Sequence, residues 1–301
     1  MNSTTLATLG TLFVAFIWGV EFVLVHNAIE ILEPHSFNFI RFGVATLSIG
    51  LFLYPKKKER WLTPLILKHG CILGLLLYLG FTFQTFGLLN TTVSNCAFIT
   101  SLCVVLVPIF ALIVLGERLR IKTIIGVILA GGGLYLLTAT GSVPFSLGDF
   151  LSLVGAAMFA LHIVFTGKYS SRHEVMFLTL IQLGTVTLLS FCSALFTEDL
   201  RMLVDIQIIG NSSVLLGIFV AALLGTSLAV LVQTYAQSHI SSTRVALIFS
   251  LEPFFASITA YFVLNEQLSS AAGVGIVLIL SGILLSEIRM TKKNKAVVLV
   301  G

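Results

Sequence analysis

A few charged side chains interrupt otherwise apolar stretches of this sequence, and they are the groups that could do chemistry. Glu252 lies in one such stretch, and Glu21 and Arg41 lie in two others near the start of the chain. A charge in hydrocarbon costs about 2.5–3.5 kcal/mol even on the most lenient insertion scale, so a charge that persists there predicts a function. A carboxylate in that setting can exchange a proton or bind a cationic group.

Two prolines inside apolar stretches predict helix breaks. Proline lacks a backbone N–H, so Pro253 frees the carbonyl of Phe249 and Pro108 frees that of Val104. Backbone opened at mid-depth of a membrane is tolerated only where it faces protein or a cavity. Glu252 is therefore predicted to be a functional carboxylate beside a broken helix. The alternative is a protonated carboxyl that only hydrogen-bonds to a neighbouring helix.

Glu21 and Arg41 lie at similar depth in a predicted helical hairpin, since both are about ten residues from the middle of the connecting loop. The two are predicted to form an ion pair, which relieves the cost of burying both charges. In one interpretation the pair only locks the two helices together. In the other, Glu21 faces a cavity as a proton or substrate site, with Trp18 one turn away on the same helix face.

Uncharged polar residues complete the set of candidates for binding or coupling. Gln84 and Gln233 offer donors and an acceptor without a charge penalty, and interhelical hydrogen bonding is their alternative role. His162 is either a neutral, hydrogen-bonded side chain or a proton relay. The weaker cavity candidates are Asn95, Tyr235 and Ser250.

The elements that position these side chains are predicted from composition and length. The chain has 301 residues, of which 57% are hydrophobic and 10% charged, against about 25% charged in soluble domains. Runs of about 20 apolar residues predict membrane-spanning helices. Ten such runs occur, at 6–27, 36–54, 66–89, 93–115, 121–139, 148–167, 175–196, 213–235, 243–264 and 270–288. The expected fold is an all-α integral membrane protein.

The positive charges orient the predicted helices. With the N-terminus in the cytoplasm, 15 of the 17 Lys and Arg residues fall in cytoplasmic loops or in the basic tail 289–301. The positive-inside rule therefore predicts that both termini are cytoplasmic. These charges form no basic face of the kind that binds nucleic acid. The four cysteines show no metal or redox spacing and are expected to be buried free thiols, and no cofactor or metal is expected.

An internal repeat relates the two halves of the chain. Residues 84–137 align with 233–286 without a gap, and about 16 of the 54 positions are identical. The matches include Gln84 with Gln233 and Glu117 with Glu266. We therefore predict two five-helix repeats, at 6–139 and 148–288. Five is odd, so the second repeat enters the membrane from the opposite side, which is the architecture of alternating-access transporters.

The chain also resembles the EamA-type transporters of the drug/metabolite transporter superfamily, from about residue 9 to residue 287. The resembling segments are 16–19, 39–42, 94–98, 115–119, 250–253 and 264–268. The resemblance implies a central cavity lined mainly by helices 1, 3, 4, 6, 8 and 9, and export or exchange of amino acids, metabolites or drugs. Glu21 departs from the small or Asn-like residue that is frequent at this position in the family.

The expected function is thus secondary active transport of small organic molecules by a monomer or weak homodimer in the cytoplasmic (inner) membrane, with proton coupling left open. A passive channel is the first alternative, and it would favour rings of repeated polar groups. A polytopic membrane enzyme is the second, but the sequence contains no H-E-x-x-H, G-x-S-x-G or clustered His/Asp set. The sequence does not identify the substrate or the coupling ion.

Overall fold

The computed structural model describes residues 2–53, 63–116, 121–138, 146–265 and 271–287. This part of the chain is helical and contains no strand. Glu117, Glu266 and the tail 289–301 lie outside it. The main helices, numbered α1 to α10 here, are Ser3–Ile29, Pro34–Leu53, Pro64–Leu88, Val93–Leu115, Ile121–Thr138, Leu147–Tyr169, Val175–Thr197, Ser212–Gln237, Ser242–Leu264 and Ala272–Glu287.

Eight of these helices are long and apolar enough to cross a membrane. The other two, α5 and α10, are also apolar, but their apolar portions are shorter. Each of the ten runs predicted from the sequence therefore coincides with a helix among the described residues. The confirmed statement is the coarser one, an all-α protein with eight membrane-length helices.

Helices α5 and α10 pack against each other through a reciprocal pair of glycines. A Cβ on Gly133 would lie 2.5 Å from the carbonyl oxygen of Gly275, and one on Gly282 would lie 2.5 Å from that of Gly126. The contact positions advance along α5 while they go back along α10, so the two helices are antiparallel. The close approach is possible because neither contact glycine carries a side chain.

Helices α2 and α7 meet in the same reciprocal way. The hydroxyls of Thr46 and Thr187 lie 3.1 Å apart. A Cβ on Gly43 would touch Thr187, and one on Gly184 would touch Thr46. Farther along α2, Gly50 faces Leu180 of α7, so this pair is antiparallel as well.

Helices α4 and α9 are both interrupted by a tight turn. In α4 the backbone N–H of Leu102 donates to Ile99 and that of Val105 donates to Leu102. In α9 the same two bonds run from Leu251 to Ile248 and from Phe254 to Leu251. All of these residues are paired in the alignment of 84–137 with 233–286, so the interruption is duplicated.

The predicted role of Pro108 as a helix break is wrong. The α4 interruption lies at Leu102, and Pro108 lies within the continuous segment Cys103–Leu115. In α9, Pro253 is the second residue of the segment that follows the interruption. Proline fits the first turn of a helix because its missing N–H has no partner there. Since α4 has Val104 at the position of Pro253, proline does not cause the break.

Helix α8 contains a π-helical segment, Val220–Leu228, between two α-helical segments. Its partner in the repeat, α3, is a regular α-helix throughout. π-helical turns widen the helix and leave carbonyl groups available for other donors, and they are frequent at functional sites.

The prediction for the cysteines is wrong for two of the four. Cys96 and Cys103 are buried, whereas Cys71 and Cys192 are exposed on the outer surface of the bundle. In a bilayer an outward-facing thiol meets acyl chains, where a small apolar side chain is suitable.

Candidate functional site

A central cavity lies among the helices, with about 530 Å³ of space not filled by protein atoms, counted with the adjoining open space. It is lined by α1, α3, α4, α6, α8 and α9, the six helices that the family resemblance implies. The lining residues are Trp18, Glu21, Phe22, Leu77, Phe81, Gln84, Thr100, Cys103, Phe159, His162, Ile163, Gln233, Phe249 and Glu252. Six of the predicted site residues, Trp18, Glu21, Gln84, His162, Gln233 and Glu252, are among them.

Glu21 and Arg41 form a buried ion pair at one side of this cavity. The Arg41 Nη2 atom donates to Glu21 Oε1 at 2.6 Å, and the two residues are 2% and 5% exposed. The guanidinium also donates through Nε to Thr226 Oγ1 at 2.6 Å, and it lies 4.5 Å from the ring centroid of Phe81. A hydroxyl, a carboxylate and an aromatic face thus hold the Arg41 guanidinium in place.

The other carboxylate oxygen of Glu21, Oε2, is buried without a hydrogen-bond partner among the described residues. It packs against Gly225 so closely that a Cβ at this position would coincide with it. The absence of a side chain at Gly225 is therefore a condition for the position of Glu21.

Trp18 is fixed by the same π-helical segment of α8. Its indole Nε1 donates to the carbonyl oxygen of Gly225 at 2.7 Å. The ring packs against Phe249, with ring centroids 4.7 Å apart. Because a buried indole N–H needs an acceptor, the carbonyl of the π-helical turn holds one aromatic wall of the cavity in place.

Glu252 begins the second segment of α9, next to the helix interruption. The side chain is 7% exposed and lines the cavity. Among the described residues, no cation or hydrogen-bond donor is paired with its carboxyl group. An ionised carboxylate buried without a partner is costly, so this group requires a proton or a ligand that carries a positive charge.

His162 lies across the cavity in a neutral hydrogen-bonded chain. Its Nε2 is 2.9 Å from Gln182 Oε1, and Gln182 Nε2 donates to Thr234 Oγ1 at 3.2 Å. Thr234 in turn donates to the Val230 carbonyl. Since the threonine hydroxyl is already a donor, Gln182 must donate to it, which leaves Gln182 Oε1 to accept from His162 Nε2–H.

The two glutamines reach the cavity from α3 and α8. Gln84 Nε2 donates to Thr100 Oγ1 at 3.4 Å, and Gln233 Nε2 donates to Gln237 Oε1 at 3.3 Å. Gln237 donates to the Ile163 carbonyl at 2.5 Å, which links α8 to α6 below the cavity. Gln84 thus combines an interhelical bond with a position in the cavity wall, whereas Gln233 bonds within its own helix.

Three of the residues predicted to face the cavity do not line it. Asn95 donates to Asp149 Oδ1 at 2.6 Å, at the end of α6. The ring of Tyr235 packs on His239, with centroids 4.5 Å apart, and Ser250 donates to the carbonyl of Leu247. Arg41 lines a second, smaller cavity of about 260 Å³, which also borders Glu21 and Gln84.

The sequence interpretation did not identify Gly225 and Thr226, although both contact the ion pair or Trp18. The available signal was Gly225-Thr226-Ser227, a run of small and polar residues inside an apolar helix. Phe81, which contacts Arg41, carried no signal because phenylalanine is common throughout the chain.

The sequence model of the EamA-like transporter family matches residues 5–139 and again residues 146–288. The chain belongs to the EamA-like transporter family. The resemblance proposed from the sequence motifs is thereby confirmed. As a member of this family the protein is a multi-pass membrane transporter, and the family is a transporter family rather than an enzyme family.

Individual relatives of this EamA-like transporter support the same assignment. An uncharacterized transporter of Archaeoglobus fulgidus is 34% identical over 94% of this chain and 86% of its own length. The uncharacterized transporter YvbV of Bacillus subtilis is 26% identical over 94% of this chain and 92% of its own. A solved crystal structure with 16% identity has a TM-score of 0.75 over 94% of this chain and 96% of that one, which shows a shared fold.

Proposed function

We propose that this EamA-like protein is a secondary active transporter that moves small organic molecules by alternating access, as an exporter or exchanger. The observation that carries the proposal is the makeup of the cavity wall. Gln84 and Gln233 are partners in the repeat alignment, and so are Cys103 and Glu252. A site built from equivalent positions of two similar halves can be opened to either side when the halves exchange conformations.

We further propose that 6–139 and 148–288 are inverted five-helix repeats that make ten spans. The support is the packing of equivalent helices: α5 on α10 and α2 on α7 are antiparallel. Two copies of one unit whose equivalent helices run in opposite directions have opposite orientations in the bilayer. The two separate matches of the family model fit the same division.

The proposed orientation places both termini in the cytoplasm, as the distribution of Lys and Arg predicts. Ser171, between α6 and α7, should then be inside, and Gln207, between α7 and α8, outside. Both are exposed, so each can be replaced by cysteine in a chain in which Cys71 and Cys192 are serine. A membrane-impermeant maleimide should label Gln207→Cys in intact cells and Ser171→Cys only after permeabilisation, and the reverse pattern contradicts this orientation.

Proton coupling is assigned in this proposal to Glu252. Glu21 has its counter-charge in Arg41, whereas Glu252 has none among the described residues. The other titratable groups that line the cavity with Glu252 are Glu21, Cys103 and His162. A carboxyl that must hold either a proton or a cation can alternate between them, which couples the two fluxes.

The test uses purified protein in liposomes that enclose a pH-sensitive dye. Amines, amino acids, nucleosides and vitamins are added singly, and the transporter is expected to produce a solute-dependent proton flux and uphill solute accumulation driven by a pH gradient. Glu252→Gln should abolish gradient-driven accumulation, while Glu30→Gln, the same change at an exposed loop residue, should not.

A passive channel gives the opposite result in the same liposomes. Solute then equilibrates at the same rate with and without a pH gradient, and no solute is concentrated. Wild-type protein that behaves in this way contradicts secondary active transport, and unchanged coupling in Glu252→Gln contradicts the role of Glu252. We place the protein in the cytoplasmic membrane, and because one chain supplies every wall of the cavity, a monomer suffices.

A further inference from the structure

The charges around the cavity are not balanced. Glu21 is neutralised by Arg41 at 2.6 Å, and Arg41 also donates to Thr226. Glu252 lines the same cavity with no cation paired to it among the described residues. His162 is held in a neutral chain with Gln182. When Glu252 is ionised, the cavity thus lacks one positive charge.

The open hydrogen-bonding groups of the cavity are mainly acceptors. The indole of Trp18 donates to the Gly225 carbonyl, so its one donor is used. Because His162 donates through Nε2, its Nδ1 is an acceptor. The amides of Gln84 and Gln233 each use one N–H on a protein oxygen and keep the second N–H and the carbonyl oxygen open. A ligand that donates hydrogen bonds and carries a positive charge fits this arrangement, and an ammonium group does both.

Aromatic rings supply a further part of the wall. Trp18 and Phe249 pack with centroids 4.7 Å apart, and Phe249 and Glu252 lie on either side of the α9 interruption. Phe81 and Phe159 form a second pair at 5.0 Å, but the Arg41 guanidinium already covers Phe81. The pair of Trp18 and Phe249 has no protein cation over it among the described residues, and Phe249 is the ring closest to Glu252 along the chain. Aromatic faces attract both organic cations and apolar groups.

We propose that the cavity selects small organic amines that have an apolar or aromatic body and no carboxylate, and that their ammonium group pairs with Glu252. This assignment rests on the proposed transport function and names the class of solute for it. It separates amines from amino acids, because the carboxylate of an amino acid needs a free cation. Arg41, which borders the adjoining smaller cavity, is already bound to Glu21 and Thr226.

Binding can be measured without any flux. The chain has two tryptophans, Trp18 and Trp61, so in a Trp61→Phe chain all tryptophan fluorescence comes from the cavity wall. Three probes with the same phenylalkyl body are titrated into detergent-solubilised protein near neutral pH. They are phenethylamine, a cation; phenylalanine, a zwitterion; and 3-phenylpropionate, an anion.

Phenethylamine is expected to change Trp18 fluorescence saturably, with a Kd at least about tenfold below those of the other two probes. Glu252→Gln in the same background should weaken phenethylamine binding by about tenfold or more, the size expected for loss of one ion pair of about 1.4 kcal/mol. Glu30→Gln, at an exposed position outside the cavity, should leave the Kd unchanged and serves as the matched control.

Three results overturn the amine assignment: phenylalanine binding as tightly as phenethylamine, no saturable change with phenethylamine, or Glu252→Gln binding the amine with the wild-type Kd. None of them bears on whether other solutes are transported in liposomes. Conversely, selective amine binding together with purely passive flux would retain the amine site and remove the coupled-transport proposal. The two proposals therefore fail separately.

Discussion

The hydroxyl oxygens of Thr46 and Thr187 lie 3.1 Å apart and join two helices at equivalent positions. The two threonines are 141 residues apart, and so are Pro34 and Val175, the first residues of α2 and α7. The same offset pairs Gly43 with Gly184, which contact the opposite threonines. Equivalent residues that touch each other must lie beside the axis that relates the two halves.

Cysteines at Thr46 and Thr187 should therefore form a disulfide, because the hydroxyl separation brings the two backbones within bridging range. The variant carries serine at Cys71 and Cys192 and a protease site in the segment 139–145. After mild oxidation and cleavage, the halves should migrate together on a non-reducing gel.

A matched control pairs Thr46→Cys with Thr179→Cys, because Thr179 lies two helical turns from Thr187 on α7. This pair should remain uncrosslinked. Equal crosslinking of both pairs, or none for Thr46 and Thr187, contradicts the antiparallel packing of α2 on α7.

The same offset of 141 residues pairs Glu21 with His162 and Arg41 with Gln182. The first half thus has an ion pair of 2.6 Å where the second half has a neutral hydrogen bond of 2.9 Å. Arg41→Gln should lower the free energy of unfolding by about 3–5 kcal/mol, because it leaves the Glu21 carboxylate buried and uncompensated. The double variant Glu21→Gln with Arg41→Gln should recover part of this loss.

Denaturant titration of the detergent-solubilised proteins measures the free energy of unfolding of the wild type, the two single variants and the double variant. The double variant should have a higher free energy of unfolding than Arg41→Gln, because two glutamines form a neutral pair like that of the second half. A double variant that is no more stable than Arg41→Gln alone contradicts the account of the pair.

Gly225→Ala is expected to displace Glu21. The new methyl group would occupy the place of Glu21 Oε2, and relief of this overlap must break the contact with Arg41 or widen α8. Overpacking of this kind costs about 1–3 kcal/mol. We expect lower thermal stability and at least about tenfold slower solute-driven proton flux, measured in the dye-filled liposomes.

Gly132→Ala is the control for this substitution, since nothing lies within 4 Å of a Cβ there. In a helix interior the change from glycine to alanine is favourable by about 1 kcal/mol. Stability should thus be unchanged or higher in Gly132→Ala. If Gly225→Ala behaves in the same way, the contact with Glu21 is not the constraint that the geometry indicates.

His173 should make stability depend on pH in the connection between α6 and α7. Its Nε2 lies 2.7 Å from His69 Nδ1. Burial, and then the neighbouring Arg172 guanidinium, lowers the pKa of His173 below its usual value of 6.5. The folded state therefore binds this proton less well than the unfolded state does. The contribution of the neutral His173 side chain to the free energy of unfolding is complete above about pH 6.5. It is lost as the pH falls toward the lowered pKa.

Melting temperatures between about pH 7.5 and 5 test this sign. The decline in wild-type stability on acidification should be shallower in His173→Asn. It should persist in His239→Asn, where an exposed histidine in the connection between α8 and α9 is removed. An identical slope in His173→Asn and wild type contradicts the prediction.

Much of the architecture could be predicted because hydrophobic length is a strong signal. The predicted run 175–196 coincides with the helix Val175–Thr197, and 148–167 lies within Leu147–Tyr169. The contact between Glu21 and Arg41 was also accessible, since equal distance from a hairpin loop places two residues at equal depth. Both inferences depend only on the order of residues along the chain and on helix geometry.

The parts that could not be predicted depend on rotation about the helix axes and on contacts between helices. Asn95 lies in the first turn of α4, where its side chain donates to Asp149 in the first turn of α6. The π-helical segment of α8 involves partners in α1 and α2, so composition alone does not indicate it. The interruption of α4 at Leu102 has no proline, and only the duplicated backbone bonds in α9 show that it is a regular feature.

The π-helical segment Val220–Leu228 occurs in one half and not in the other. If transport exchanges the conformations of the two halves, α3 would have to form a π-helical turn like that of α8. The bond from Trp18 to Gly225 that accompanies this turn in α8 has no counterpart at α3 in the described part of the chain. The inward-facing and outward-facing forms are then not mirror images and differ in free energy. The solute-free transporter should accordingly populate mainly one of the two forms. Solute binding must then offset the difference in free energy before the other form is populated.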